Sequence, residues 1–216
     1  MTGLAALTAA AAADRLFVSG GFHPEPGDGA PEGCGTLLLL SPDEPGFWPH
    51  VTSQPEFADG AANPLDRWSA RVISALAHSF GGQALFPFGG PPWHPFYTWA
   101  LRSGRAWAAP VTLLVHDRMG LFASYRGALA VPGRWVLPQP PSCPCDGCAR
   151  PCLTACPASA LGAAGYDVAA CHAHLDRPEG KDCLSAGCVT RRACPASIGY
   201  GRLGQQSAWH MRQFHK

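Results

Sequence analysis

Hydrophobic and polar residues alternate along this chain with two kinds of spacing, which together predict a mixture of helices and strands. Apolar residues recur at helical spacing from Asn63–Pro64 to Gly81–Gly82, which predicts an amphipathic helix capped by the Asn63 side chain. Shorter apolar runs bounded by glycine, proline or charged residues predict strands. The remaining predicted elements are helices over 2–14, 94–101 and 205–216 and strands over 15–18, 36–40, 84–88, 111–115 and 121–131. The predicted fold class is therefore α+β.

The end of this pattern also predicts how the chain is divided. A polar turn at residues 117–120 separates the last two predicted strands, so we expect them to pair as an antiparallel hairpin. Prolines then cluster between Pro132 and Pro141, as is typical of a linker. We therefore expect an α+β domain with four or five strands over residues 1–138 and a smaller domain over residues 139–216.

The composition and charge of the chain argue against a nucleic acid as its binding partner. The net charge is +1, and 47% of the 216 residues are hydrophobic, enough for a packed core. Up to Gln139 eight arginines accompany ten acidic residues, and after it eight basic residues accompany five acidic ones. Neither part has the basic field of a nucleic-acid-binding protein, so we expect no nucleic-acid partner.

The N-terminus and the apolar runs indicate the compartment. No run of eighteen apolar residues is present, so no membrane span is expected. The Ala-rich start has no basic residue before its apolar stretch, unlike a signal peptide. We therefore expect a cytoplasmic protein, in which clustered cysteines usually bind metal rather than form disulfides.

The order of the cysteines predicts which metal they bind. Nine of the ten lie between residues 143 and 194, and Cys34 stands alone. Residues 145–157 have the pattern C-x2-C-x3-C-x3-C-P, and residues 171–195 have the pattern C-x11-C-x4-C-x5-C-P. Two cysteine groups that each end in Cys-Pro are typical of a domain with two iron–sulfur clusters, in which the last cysteine of each group binds the other cluster.

Eight thiolates are what two [4Fe–4S] clusters require, and the exchange of last cysteines assigns them to two sets. The first set is Cys145, Cys148, Cys152 and Cys194, and the second set is Cys156, Cys171, Cys183 and Cys188. Cys34 and Cys143 are left over. Because Cys143 is two residues from Cys145, it is an alternative to that ligand.

Residues 143–195 resemble the bacterial-type dicluster ferredoxin domain, specifically the variant attached to epoxyqueuosine reductases. In that group too a lone cysteine on a helix precedes the second cysteine run, as Cys171 does in the segment Asp167–His172. The chain departs from the common form in having x3 within the first group and x4 and x5 in the second. The resemblance implies two [4Fe–4S] clusters.

The N-terminal part has a second resemblance, carried by residues 36–42, the long helix and residues 116–129. They are similar to the cobalamin-binding domain shared by epoxyqueuosine reductases and vitamin-B12-processing chaperones. The resemblance implies a nitroreductase-like α+β fold and cobalamin as a further cofactor. Tyr125 and Arg126, in the last predicted strand, are candidate cofactor-binding residues. The alternative is a core tyrosine beside an arginine that is salt-bridged to Asp117.

These observations predict an iron–sulfur redox protein that relays single electrons through two [4Fe–4S] clusters to a substrate, a corrinoid or a partner protein. One alternative is a non-catalytic module in which zinc or one cluster is structural, since C-x2-C pairs also occur in zinc sites. Another is a cobalamin-dependent reductase resembling the epoxyqueuosine enzymes. No residue is assigned as catalytic, and the C-terminal helix is expected to pack against the cluster domain.

Overall fold

The computed structural model describes residues 3–216 and confirms the predicted α+β class. Its helices are α1 (Gly3–Ala13), α2 (Phe47–Thr52), α3 (Pro55–Ala58), α4 (Pro64–Ser79), α5 (Phe96–Arg102), α6 (Val168–Leu175), α7 (Lys181–Ala186), α8 (Val189–Ala193), α9 (Pro195–Ile198) and α10 (Gly204–Phe214). Its strands are β1 (Leu16–Phe22), β2 (Thr36–Pro42), β3 (Gln83–Leu85), β4 (Ala106–Ala108), β5 (Leu114–His116), β6 (Gly127–Val131), β7 (Leu161–Gly162) and β8 (Gly165–Tyr166). Residue 2 of the predicted first helix lies outside the described residues.

The chain forms two compact units. The N-terminal unit contains the described residues up to Arg105 together with Ser124–Pro141, and the cysteine unit contains Ala106–Ala123 and Ser142–Lys216. The cysteine unit thus includes residues 106–123, which the prediction placed in the domain over residues 1–138. Within residues 3–216 no helix is both long enough and apolar enough to cross a bilayer.

The N-terminal unit is built on a four-stranded antiparallel sheet in the order β1-β2-β6-β3. Every residue of β2 and β6 is buried, so the centre of the sheet is covered on both faces. Helix α1 packs on β1, and α4 packs on β3 and β6. The buried face of α4 includes Trp68, Val72 and Ile73, as its helical spacing predicts.

The prediction that Asn63 caps α4 with its side chain is wrong. Asn63 has φ 52° and ψ 49°, in the left-handed region, and its side chain makes no capping hydrogen bond. The Asn63 carbonyl oxygen instead accepts hydrogen bonds from the backbone N–H groups of Asp66 and Arg67. Pro64 does occupy the first turn of the helix, where its missing N–H costs no hydrogen bond.

The predicted hairpin between residues 111–115 and 121–131 is also wrong. Strand β5 pairs instead with β4, at Ala106↔His116 and Ala108↔Leu114. Strand β6 lies between β2 and β3 in the other unit. The polar turn closes only an isolated bridge between His116 and Gly120, and the fully apolar β6 is instead buried in the centre of the four-stranded sheet.

The cysteine unit combines the β4–β5 hairpin with short helices and turns. Gly120, at φ +56°, lies so close to Ser197 of α9 that a Cβ atom there would overlap its backbone nitrogen and Oγ. The Leu121 N–H donates to Ser197 Oγ at 2.9 Å. The hairpin segment is therefore fixed to the chain that follows the last cysteine. Helix α10, predicted over 205–216, packs on α7.

Candidate metal centre

All eight predicted ligands lie in the cysteine unit, on tight turns, within short helices or at their ends. Cys145 and Cys148 share a turn in which the Cys148 N–H donates to the Cys145 carbonyl oxygen at 3.3 Å. The other positions are a 3-10 turn for Cys152, the loop after it for Cys156, α6 for Cys171, α7 for Cys183, and the two ends of α8 for Cys188 and Cys194.

The thiols of the first set come together. The Cys145 thiol interacts electrostatically with those of Cys148 and Cys194, and the Cys152 thiol interacts with the same two. Cys194 is thus brought beside residues that are more than forty positions earlier in the chain. This grouping contains the four members of the first predicted set and also Cys143, whose thiol interacts with that of Cys145.

The thiols of the second set form a separate group. The Cys171 thiol interacts with those of Cys188 and Cys156, and the Cys183 thiol interacts with that of Cys188. Each of these interactions joins members of one set only. The last cysteine of each sequence group therefore lies with the other group's thiols, as in the exchanged arrangement.

Local structure accounts for the wide spacings in the second group. Helix α7 ends at Gly187, which has φ 91° and donates its N–H to the Cys183 carbonyl oxygen at 3.0 Å. This left-handed φ favours glycine and turns the chain into Cys188, the N-cap of α8. The four residues between Cys183 and Cys188 therefore contain the end of α7 and the turn at Gly187. The five residues between Cys188 and Cys194 are the one-turn helix α8.

A single apolar core lies beneath both sets. Its buried members are Ala109, Val111, Val115, Leu121, Cys152, Leu161 and Cys194. Cys145, Cys156 and Cys188 are partly buried and pack against it. The thiols are thus held at the boundary between an apolar interior and solvent, where the surroundings exclude part of the water from the sulfur atoms.

Burial and neighbouring thiols raise the pKa of four of these cysteines in the metal-free chain. Burial, followed by the neighbouring Cys143, Cys194 and Cys148 thiols, raises the pKa of Cys145 to about 11. Burial is also the first cause of the raised pKa values of Cys152, Cys171 and Cys183. Since a thiol must lose its proton to bind metal, a cation at either set has to displace protons.

Backbone amides point at sulfur atoms in both sets. The Arg150 N–H donates to Cys148 Sγ at 3.3 Å, and the Val189 N–H donates to Cys183 Sγ. Hydrogen bonds from backbone N–H groups to the ligating sulfurs are among the features that set the potential of protein-bound iron–sulfur clusters. Eight thiols in two neighbouring groups are the number of ligands that two such clusters take.

Two polar groups near the sets are incompletely paired. Arg191 forms no salt bridge with a carboxylate within residues 3–216. Its acidic neighbours there are the Cys188 thiol and the Tyr166 hydroxyl. Thr190 Oγ1, between Cys188 and Cys194, is fully buried without a hydrogen-bond partner. The Arg191 guanidinium thus faces two neutral acidic groups, and an anionic group bound beside it would balance its charge.

Within residues 3–216 no three His, Cys, Asp or Glu side chains converge closely enough to hold one metal ion. A zinc ion lies about 2.3 Å from each thiolate, so its four sulfurs must converge on a single point. In a [4Fe–4S] cluster each thiolate binds a different iron atom, so the four sulfurs surround a larger group. The absence of three converging side chains in residues 3–216 therefore concerns a site for one metal ion and not the wider arrangement of cluster ligands.

The two remaining cysteines differ in position. The Cys143 thiol is hydrogen-bonded to that of Cys145, at the rim of the first set. Cys34 lies in the N-terminal unit, where its thiol donates to the Thr36 carbonyl oxygen at 3.3 Å. All ten cysteines are free of disulfide bonds.

Tyr125 and Arg126 immediately precede β6 in the N-terminal unit. Arg126 is 8% exposed and its Nη2 donates to Asp66 Oδ1 at 3.2 Å, while its Nε has no hydrogen-bond partner. The alternative salt bridge to Asp117 is therefore wrong, because Asp66 of α4 supplies the carboxylate. Burial lowers the pKa of Arg126, and the charge of Asp66 partly offsets this.

Sequence reasoning missed two residues that lie beside the cysteines of the second set. Tyr166 ends β8, and its hydroxyl is hydrogen-bonded to the Cys171 thiol. Arg191 lies three positions after Cys188 on α8, so the two side chains share a helix face. If residues 189–193 had been predicted as a helix, the three-residue spacing would have indicated that Arg191 lies near Cys188. No local sequence pattern indicates a role for Tyr166.

Comparison of the chain with protein-family models, with curated proteins and with solved structures finds no match.

Proposed function

We propose that this protein is an iron–sulfur redox protein that relays single electrons through two [4Fe–4S] clusters to a small-molecule substrate or a partner protein. The observation that carries the proposal is the division of eight thiols into two interacting groups of four. Zinc ribbons need paired cysteine knuckles, whereas the Cys156 and Cys194 thiols each lie near thiols of the other sequence group, which supports the exchange of ligands that is typical of two-cluster ferredoxins.

When bound, each cluster would supply one reversible one-electron step. The residues of the chain would hold and shield it. The first set would be held by Cys145, Cys148, Cys152 and Cys194, and the second by Cys156, Cys171, Cys183 and Cys188. The shared apolar core restricts water, and the amides of Arg150 and Val189 stabilise negative charge on sulfur.

The test is anaerobic purification followed by iron and acid-labile sulfide analysis, with EPR spectroscopy of the dithionite-reduced protein. We expect about eight iron and about eight sulfide per chain, the content of two cubane clusters. Stoichiometric zinc without iron would overturn the proposal and favour the non-catalytic module. Iron that gives no reducible centre would favour a structural role for the cluster.

The finer assignment of each unit is part of the same proposal. The cysteine unit would be a dicluster ferredoxin-like domain of a cytoplasmic protein. The N-terminal unit would be a nitroreductase-like domain related to cobalamin chaperones, with Tyr125 and Arg126 as candidate contacts. The four-stranded antiparallel sheet between helices supports the second assignment. Adding cob(II)alamin to the purified protein tests it, since binding would shift the corrinoid absorption bands and Arg126→Gln would weaken that shift.

A further inference from the structure

Thr190 carries a buried hydroxyl that makes no hydrogen bond within residues 3–216. A threonine or serine inside a helix usually donates to the carbonyl oxygen four residues earlier. Thr8, Thr52 and Ser69 make that bond in this protein, at 2.8, 2.8 and 2.7 Å. Because α8 begins only at Val189, Thr190 has no earlier turn of its own helix to donate to. A buried hydroxyl without a partner is costly, so a bound group is expected to supply the acceptor.

The position of Thr190 on α8 places it nearer to one cysteine set than to the other. Cys188 is the N-cap of α8 and Cys194 is its C-cap. Residues four apart lie on the same side of a helix, whereas residues two apart lie on nearly opposite sides. Thr190 therefore shares its side of the helix with Cys194, which belongs to the first set, and not with Cys188.

Packing agrees with this placement. Of the five residues of α8 only Thr190 is buried, so its side of the helix is the one that is turned to the interior. Cys194 and Cys152, both of the first set, belong to one buried apolar core. Helix α8 also packs on the 3-10 turn Pro151–Leu153, which carries Cys152. The hydroxyl thus lies on the interior side of α8, the side of two ligands of the first set.

We propose that the Thr190 hydroxyl donates a hydrogen bond to a sulfur atom of the cluster held by the first set and so raises the reduction potential of that cluster. The inference rests on the proposed function. Hydrogen bonds to the sulfurs help to set cluster potentials, because a hydrogen bond strengthens as its acceptor becomes more negative. In the step concerned a one-electron donor such as dithionite is oxidised and the cluster gains one electron, while Thr190 keeps its proton.

The test is a potentiometric titration followed by EPR on the reconstituted full-length protein and on Thr190→Val and Thr190→Ser. Valine keeps the shape of threonine and lacks the hydroxyl, whereas serine keeps the hydroxyl. Thr190→Val should shift one midpoint to a more negative potential and leave the other in place, and Thr190→Ser should restore most of the wild-type value. Thr190→Ala, which also lacks the hydroxyl and is a better helix former, should give the same shift as valine.

Thr154→Val is the matched control. Thr154 lies two residues after Cys152, as Thr190 lies two residues after Cys188, but it is exposed and its hydroxyl lies 3.5 Å from the Pro151 carbonyl oxygen. The substitution should therefore change neither midpoint.

Single-set backgrounds identify the cluster that Thr190 contacts. Cys171→Ser should retain only the first set, and Cys148→Ser only the second. Thr190→Val should shift the remaining midpoint in the Cys171→Ser background and leave it in place in the Cys148→Ser background. A shift confined to the Cys148→Ser background, or an equal shift in both, would contradict the inference.

A direct readout of the hydrogen bond and the iron content separate the ways in which this inference can fail. ENDOR spectroscopy of the reduced Cys171→Ser protein should show a proton coupling that Thr190→Val removes and Thr190→Ser retains. A wild type without iron would overturn the proposed function, and this inference with it. Thr190→Val with about eight iron per chain and two unshifted midpoints would overturn the inference alone, since a buried water would then be the partner of the hydroxyl.

Discussion

The first and second cysteine sets have the same number of thiols but are built in different ways. Residues 145–152 bring three members of the first set together on consecutive turns, and Cys152 and Cys194 belong to the buried apolar core. The second set takes its thiols from a loop, from α6 and α7 and from the N-cap of α8. The first set therefore depends on local turns and the second on the correct folding of three short helices.

Their surroundings differ as well. Both sets pack on the same apolar core, and the second set also has the Tyr166 hydroxyl and the Arg191 guanidinium as neighbours. Cysteine spacing thus predicts the two groups of thiols, while residues outside the motif determine the charge around each group. The predictions below test whether the two sets are independent and unequal.

The largest effect is expected from removing one thiol of each set together. Cys148 and Cys171 are half-buried, so serine at either position leaves the apolar core intact. Cys148→Ser and Cys171→Ser should each lower the iron content from about eight to about four per chain, and the double variant should bind almost none. Iron analysis with EPR checks this. Cys34→Ser, in the other unit, is the control and should retain all iron.

A single substitution that abolishes both EPR signals would show that the sets are not independent. In that case the two sets would differ only in the side chains that surround them.

The next effect tests which set each Cys-Pro cysteine serves. Cys156→Ser should remove the iron of the second set, so adding Cys171→Ser should cause no further loss, and adding Cys148→Ser should remove the rest. Cys194→Ser should give the opposite result, with no further loss on adding Cys148→Ser. Iron content of the four double variants checks the exchange. If Cys156→Ser with Cys148→Ser retains about four iron atoms, ligation within each sequence group replaces the exchange.

The grouping of thiols could be predicted because it follows from covalent order and from a chemistry that needs four sulfurs per cluster. The α+β class and the course of α4 were predictable for a similar reason, since periodicity reports which face of an element is buried. The helix at Cys171 was implied by the family resemblance, and in the structure the Asp167 carboxylate caps it by accepting the Ala170 N–H at 2.9 Å.

What could not be predicted depends on partners distant in sequence. Strand β6 leaves its neighbour β5 to pair with β2 and β3, and a local turn carries no information about that choice. Arg126 pairs with Asp66, sixty positions away, rather than with the nearby Asp117. Asn63 fails as a cap because it adopts a left-handed conformation, with φ 52° and ψ 49°, rather than the extended conformation that a capping residue usually has.

A smaller effect should separate the helix-borne set from the turn-borne set. Asp167→Ala removes the N-cap of α6, and loss of such a cap costs about 0.5–2 kcal/mol of stability. Because α6 carries Cys171, the second set should lose iron to a chelator faster than in the wild type, while the first set should not. The measurement is the decay of each EPR signal under chelator.

Asp146→Ala is the matched control for this experiment. Asp146 lies in the turn between Cys145 and Cys148 and is exposed like Asp167, so the substitution should leave both decay rates unchanged. Equal acceleration of both signals in Asp167→Ala would mean that α6 supports the whole unit rather than the second set.

The smallest expected effect concerns Cys143, the neighbour of the first set. Its thiol is hydrogen-bonded to Cys145 and is one cause of the raised pKa of that residue, so it lies close enough to compete as a ligand. Cys145 packs on the apolar core, whereas Cys143 is not part of that contact, so the better-shielded thiol should bind. Cys143→Ser should keep about eight iron atoms, and Cys145→Ser should keep about four. If Cys145→Ser retains full iron and only the Cys143→Ser/Cys145→Ser double variant loses it, Cys143 replaces Cys145, and the first set tolerates a ligand exchange for which the second set has no spare thiol.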